Sequence, residues 1–154
     1  MSTRANTSAR TTTYTAILAQ QKMEQLRSLT WSFDPLGLPI SDVTADTTVA
    51  PERDTGGTGL SPSPVNALGQ NTDGYVDYLD TFGRSLGGGV TPIEGTVYIR
   101  RWSIEPLPSN PANTVVLQVL VTRRRNRGAA DAAADVARLP DEARLVSVKT
   151  RKAP

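Results

Sequence analysis

The carboxylates that could do chemistry in this sequence are concentrated between Asn71 and Asp80. Asn71, Asp73 and Asp77 offer the oxygen ligands that calcium prefers, although their spacing lacks the complete ligand loop of a calcium motif. Asp77 and Asp80 could instead form a catalytic pair, but a strand period of two places them on opposite faces. We interpret them as loop and edge-strand carboxylates, with calcium at Asn71, Asp73 and Asp77 as the less favoured alternative and no catalytic residue.

The chain contains no histidine and no cysteine. The usual general base, the commonest metal ligand and the reactive thiolate are therefore missing, and no disulfide can form. The glycine-rich run from Asp54 to Gly59 lacks the Gly-Lys-Ser or Gly-Lys-Thr of a phosphate-binding loop, so flexibility explains it better. We expect no enzymatic activity and no cofactor.

The charge balance argues against a nucleic-acid partner, because 17 basic residues face 15 acidic ones and the formal net charge is +2. The local exception is a cluster of Arg123, Arg124, Arg125 and Arg127. Four arginines neutralise only a few phosphates, so a solvated strand end is preferred over a nucleic-acid or anionic-lipid patch.

An amphipathic helix is predicted from Thr7 to Thr30. At ~100° per residue its apolar stripe consists of Tyr14, Leu18, Leu26 and Leu29, widened by Ala19 and Met23. Lys22 falls within this stripe and Ile17 falls outside it. An apolar Ile17 in water needs a second partner, so the helix is expected to be contacted on two sides. The candidate assembly face is therefore Ile17, Gln20, Glu24 and Arg27.

Loops and strands are predicted after the helix. Residues 35–71 are rich in Ser, Thr, Asp, Gly and Pro and predict a long loop. Glycines at 83 and 87–89 predict a turn, and Gly128–Ala137 predicts a short helical turn or a mobile loop. Alternating apolar residues predict strands over Tyr75–Thr81, Gly95–Ile104, Asn113–Thr122 and Ala143–Thr150. In the last strand, Val146 and Val148 are expected to face inward.

These elements predict an α+β fold, with one long N-terminal helix packed on a roughly four-stranded antiparallel sheet. We expect a single domain over 1–154, comprising a helical spine (7–30), a long loop (35–71) and the sheet (72–150). Each indole buries a large apolar area, so both tryptophans are expected to seal the helix onto the sheet. The predicted helix–sheet core is Tyr14, Leu18, Met23, Leu26, Leu29, Trp31 and Trp102.

The segment from Ala16 to Leu29 resembles the second half of the long N-terminal helix in minor type IV pilins and pseudopilins, particularly pilus modification proteins of the PilV kind. Three later regions strengthen the resemblance. Tyr75–Asp80 is similar to the first sheet strand of such proteins, and Arg144–Lys149 to the closing strand. Their central hairpin resembles Tyr98–Ile104 followed by Asn113–Arg123. The resemblance implies a pilin-like fold.

The resemblance also implies a function. It indicates a non-enzymatic structural subunit of a type IV pilus, acting in pilus assembly, priming or tip interactions, whose partners are other minor and major pilin subunits. The implied location is the inner membrane and periplasm, and then the cell-surface fibre, of a Gram-negative-type bacterium. Family members have a methylated N-terminus and an apolar span of ~20 residues, which this sequence does not contain, so membrane contact is expected only through that span.

Two alternatives stay open. A minor pseudopilin of type II secretion would share this architecture. A carbohydrate- or peptide-binding module would instead use the glycine-rich loops.

Overall fold

The computed structural model describes residues 2–124 and 142–152, with side chains from residue 13 onward. Within this part of the chain, helix α1 (Ser2–Ser28) precedes seven strands in two antiparallel sheets. Strands β1 (Trp31–Phe33) and β2 (Pro39–Ser41) form a separate hairpin. The larger sheet has the order β4-β3-β5-β6-β7 and consists of β3 (Val76–Leu79), β4 (Ser85–Gly88), β5 (Tyr98–Pro106), β6 (Thr114–Arg123) and β7 (Ala143–Thr150).

The predicted pilin-like α+β fold, with a long helix on a roughly four-stranded sheet, is wrong. The described residues form a five-stranded and a two-stranded sheet, and the structure is mostly β. Strand β4 escaped prediction because its sequence, Ser-Leu-Gly-Gly, reads as a turn. Strands β1 and β2 have three residues each, too few to show an alternating pattern.

Helix α1 lies against β6 and β7, and its buried residues follow the helical period. The facing side of β6 is a continuous apolar row of fully buried side chains, namely Val115, Leu117, Val119 and Val121. Each buried aliphatic side chain contributes roughly 1.5 to 3 kcal/mol before entropic costs. The helix ends at Ser28 rather than at Thr30, and the chain enters β1 at Trp31.

The expectation that Val146 and Val148 face inward is wrong, since they are 61% and 52% exposed. The register of β7 against β6 instead turns Leu145 and Ser147 toward α1. There Ser147 Oγ accepts a hydrogen bond from the guanidinium of Arg27. On this edge strand, the face that contains Ser147 contacts the end of α1, and the face that contains Val146 and Val148 is exposed to solvent.

The predicted long loop, 35–71, contains strand β2 and several fixed contacts. Ser63 exchanges hydrogen bonds with the backbone of Ile104 in β5, and Tyr75 Oη donates to the Ser61 carbonyl. A side chain on Gly57 would lie 2.4 Å from the carbonyl oxygen of Ala45, so the glycine allows two backbones to touch. The run from Asp54 to Gly59 is therefore packed only at its second half, since Gly59 is buried while Asp54, Thr55 and Gly56 are exposed.

The segment Gly128–Ala137, predicted as a helical turn or a loop, lies outside the described residues. In the part of the chain that is described, no helix is both long and apolar enough to cross a bilayer.

Candidate functional site

Three charged side chains meet between α1 and the sheet. Lys22 comes from α1, Asp77 from β3 and Arg100 from β5, and they are 1%, 1% and 7% exposed. The ladder places Asp77 directly opposite Arg100. The Arg100 guanidinium donates from Nε to Asp77 Oδ1 over 2.9 Å and from Nη2 to Oδ2 over 2.6 Å. Lys22 Nζ lies 3.6 Å from the same Oδ2, which completes a buried cluster of two cations and one carboxylate.

The cluster also holds neighbouring backbone. Arg100 Nη1 donates to the carbonyl of Leu18 over 3.1 Å, in the middle of α1. Lys22 Nζ donates to the carbonyl of Thr47, in the segment after β2, and lies 4.3 Å from the centroid of the Trp102 ring. Helix, sheet and loop are therefore joined at one point.

Burial decides the electrostatics of this cluster. Removal from water lowers the pKa of the Lys22 ammonium from 10.5 to about 8, with Asp77 opposing the shift and Arg100 adding to it. Both oxygens of Asp77 already accept bonds from the guanidinium. The carboxylate is therefore engaged in an ion pair rather than presented to a substrate. The arrangement fixes the helix on the sheet.

Sequence reasoning missed this cluster, although a signal was present. Lys22 falls within the apolar stripe of α1, Asp77 shares a strand face with Leu79, and Arg100 shares one with Trp102. A lone charge on a buried face is costly, so charges on several apolar faces indicate that they pair with one another.

The residues predicted to form the helix–sheet core differ in how deeply they are buried and in which elements they contact. Tyr14 is half-buried and packs edge-to-face on Tyr98, with ring centroids 5.4 Å apart. Trp31 lies in β1, just after the helix, and belongs to the same buried core cluster as the helix residues. Its Nε1 also donates to the Asn113 carbonyl and Arg151 stacks on its ring, so the indole fastens the hairpin as well. The others lie in the core between α1 and the sheet, namely Leu18, Met23, Leu26, Leu29 and Trp102.

The candidate assembly face is mostly open. Ile17 is 47% exposed, and Gln20 and Glu24 are exposed on the same side of α1. Arg27 is exposed as well, but its guanidinium donates to Ser147 and its carbonyl accepts a bond from Lys149 Nζ. Arg27 therefore belongs to the contact between α1 and β7, and the other three residues form the open face.

The calcium candidates do not converge. Asn71 Oδ1 accepts two hydrogen bonds from Arg101, which lies on the sheet face opposite to that of Asp77. Asp73 is exposed. Among the residues described, no group of three or more His, Cys, Asp or Glu side chains is placed to hold a metal ion.

The arginine cluster is described only in part. Arg123 and Arg124 are exposed at the end of β6, where they line a shallow cleft with Pro92 and Thr96. Arg125 and Arg127 lie outside the described residues.

Comparison with protein families, curated proteins and solved structures finds no match to this chain.

Proposed function

We propose that this chain is a structural, non-enzymatic subunit that enters an assembly through the open face of α1 around Ile17, Gln20 and Glu24, called its outer face from here on. The observation that carries the proposal is Ile17, an aliphatic side chain that is 47% exposed on a helix whose other face is buried. The partners are subunits of the minor type IV pilin or pseudopilin class, because the segment Ala16–Leu29 resembles the helix through which such proteins associate.

The outer face has the chemistry of a helix–helix contact. Ile17, Gln20, Gln21 and Glu24 are exposed and stand at spacings of three and four, so they form one ridge along α1. An apolar anchor flanked by amides and one carboxylate fits the groove of a neighbouring helix. Glu24 would then select a partner that offers a cation at that point.

The buried cluster supports the same proposal. Lys22 points into the protein from the side of α1 opposite Glu24 and is held by Asp77 and Thr47. A buried ion pair is a poor source of stability but an effective way to select one register. The cluster therefore fixes the rotation of α1 about its axis and keeps Ile17 directed outward.

Ile17→Asp tests the proposal in cells that express the full chain. The purified variant should unfold at the same temperature as the wild type, because position 17 stays hydrated in the free protein. Its incorporation into the assembly should be lost, because a carboxylate buried in a helix contact loses its hydration without a partner. The readout is the fraction of the subunit recovered with purified fibres or with a pulled-down complex.

Val65→Asp is the matched control, since Val65 is 91% exposed and lies in the loop segment. That variant should be incorporated normally. Normal incorporation of Ile17→Asp would show that this face of α1 does not contact other subunits and would overturn the proposal.

A further inference from the structure

The β1–β2 hairpin carries a compact apolar surface at its tip. Leu36 is 85% exposed, Leu38 59% and Ile40 41%, and the adjoining Pro35 and Pro39 are exposed as well. These five residues, Pro35, Leu36, Leu38, Pro39 and Ile40, are called the hairpin tip below. Single exposed aliphatic side chains are common on proteins, but a cluster of this kind on one protruding turn marks an interaction site.

The amide hydrogens of the tip are already bonded within the turn. Asp34 Oδ1 accepts hydrogen bonds from the amides of Leu36 (2.9 Å) and Leu38 (2.8 Å). The amide of Asp34 donates to the Leu38 carbonyl, and that of Gly37 to the Asp34 carbonyl. Pro35 has no amide hydrogen. Every N–H from Asp34 to Leu38 is therefore bonded within the turn, so apolar surroundings would leave none of them unpaired.

The base of the hairpin carries the opposite chemistry. The Arg151 guanidinium stacks on the Trp31 ring at 3.7 Å and donates to the carbonyls of Ser32 and Ile40. Lys152 is exposed beside it and pairs with Ser32 through the backbone. Cations thus lie directly behind an apolar tip, an order of groups that suits the interface of a bilayer, where the apolar part enters and the cations stay at the headgroups.

We propose that the hairpin tip inserts into the surface of a bilayer that contains anionic lipids. The leucines would enter the boundary between headgroups and acyl chains, while Arg151 and Lys152 would meet the phosphates.

A bilayer fits this surface better than a protein groove. The tip protrudes and carries no basic side chain, and its one acidic neighbour, Asp34, uses Oδ1 for its own amides. Arg151 and Lys152 contact the hairpin, and Lys149, whose ammonium donates to the Arg27 carbonyl, is close enough to interact with Lys152. These three cations face two acids in and beside the hairpin, Asp34 and Asp42. This excess gives complementarity to anionic headgroups. The proposal does not depend on the role of α1, because the hairpin and the outer face of the helix share no residue.

The test is co-flotation of the full chain with vesicles of phosphatidylcholine alone or mixed with phosphatidylglycerol. The wild type should bind the mixed vesicles. The double variant Leu36→Asp/Leu38→Asp should bind at least about tenfold more weakly, a loss of 1.4 kcal/mol or more, while Val65→Asp should bind like the wild type. Both altered leucines are exposed, so the fold should be retained, as unfolding curves will check. Lys152→Glu should reduce the preference for the anionic vesicles.

A second measurement separates insertion from surface adsorption. Because the chain has no cysteine, Leu36→Cys can carry one environment-sensitive fluorophore. Its emission should shift to the blue on vesicles and become protected from a water-soluble quencher, whereas the label on Val65→Cys should not change. Three outcomes would each overturn the proposal: no vesicle binding by the wild type, equal binding by the leucine double variant, or salt-sensitive binding without a spectral shift. Capture of the tip by a protein without vesicle binding would assign it to a protein groove instead.

Discussion

Asp77 faces two cations, Lys22 and Arg100, in a space that water does not reach. Asp77→Asn should therefore destabilise the protein by about 3–5 kcal/mol, because both cations stay buried without a countercharge. Asp73→Asn, an isosteric change at an exposed carboxylate, should alter the free energy of unfolding by less than about 0.5 kcal/mol. Urea denaturation of both variants gives the comparison. Equal midpoints would mean that the cluster does not hold the fold.

Lys22 gives the same cluster a pH dependence. Its pKa is about 8 in the folded protein and near 10.5 when unfolded, so the unfolded chain binds more protons between these values. Stability should thus rise with pH through this window, by about 2 kcal/mol between pH 8 and pH 10.

Lys22→Met should remove most of the rise, with a smaller part left from Lys149, whose pKa is also lowered by burial. The denaturation curves should be measured only up to pH 10. Burial raises the pKa values of Tyr75 and Tyr78, so above pH 10 their ionisation makes stability fall as the pH rises. A flat wild-type profile would contradict this account.

At the scale of elements, the residues of α1 contribute to stability according to whether they face the sheet or the solvent. Leu26 is fully buried in the core, so Leu26→Ala should destabilise the protein by about 2–5 kcal/mol through lost apolar contact and the cavity left behind. Gln20→Ala, on the exposed side of the same helix, should leave the free energy of unfolding nearly unchanged. Thermal or chemical unfolding measures both, and equal midpoints would mean that the helix is rotated from this orientation.

The elements also show where sequence is informative. A helix of this length repeats its period several times, which is why Leu18 and Leu26 can be placed toward the sheet from spacing alone. Strand β7 is at the sheet edge, where either face can be wet, so the alternation that includes Val146 does not say which face is inside. Strand β4 is held by pairing to β3 rather than by its own side chains. The Lys22–Asp77–Arg100 cluster needs contacts between residues 55 and 23 positions apart, which no local pattern contains.

At the scale of the whole molecule, the side chain of Arg151 makes several of the contacts that join the two sheets, beside the Trp31–Asn113 hydrogen bond and the Ser32–Lys152 bridge. Arg151 follows β7 and donates from Nε to the carbonyl of Ala112, while Nη1 reaches the carbonyls of Ser32 and Ile40 in the hairpin. Its guanidinium also stacks on Trp31. A planar fork with several donors can make all these contacts together, and an ammonium group cannot.

Arg151→Ala should therefore loosen the β1–β2 hairpin without unfolding the larger sheet. Amide hydrogen exchange across residues 31–41 should become faster, while exchange in β5 and β6 should stay slow, because those strands keep their pairing and their apolar core. Arg151→Lys is the matched control for charge and should protect the hairpin only partly, since it keeps the cation and loses the fork. If both segments were to speed up equally in Arg151→Ala, the hairpin and the large sheet would open as one cooperative unit. Unchanged exchange in the hairpin would show that its two strands hold together without the contact from β7.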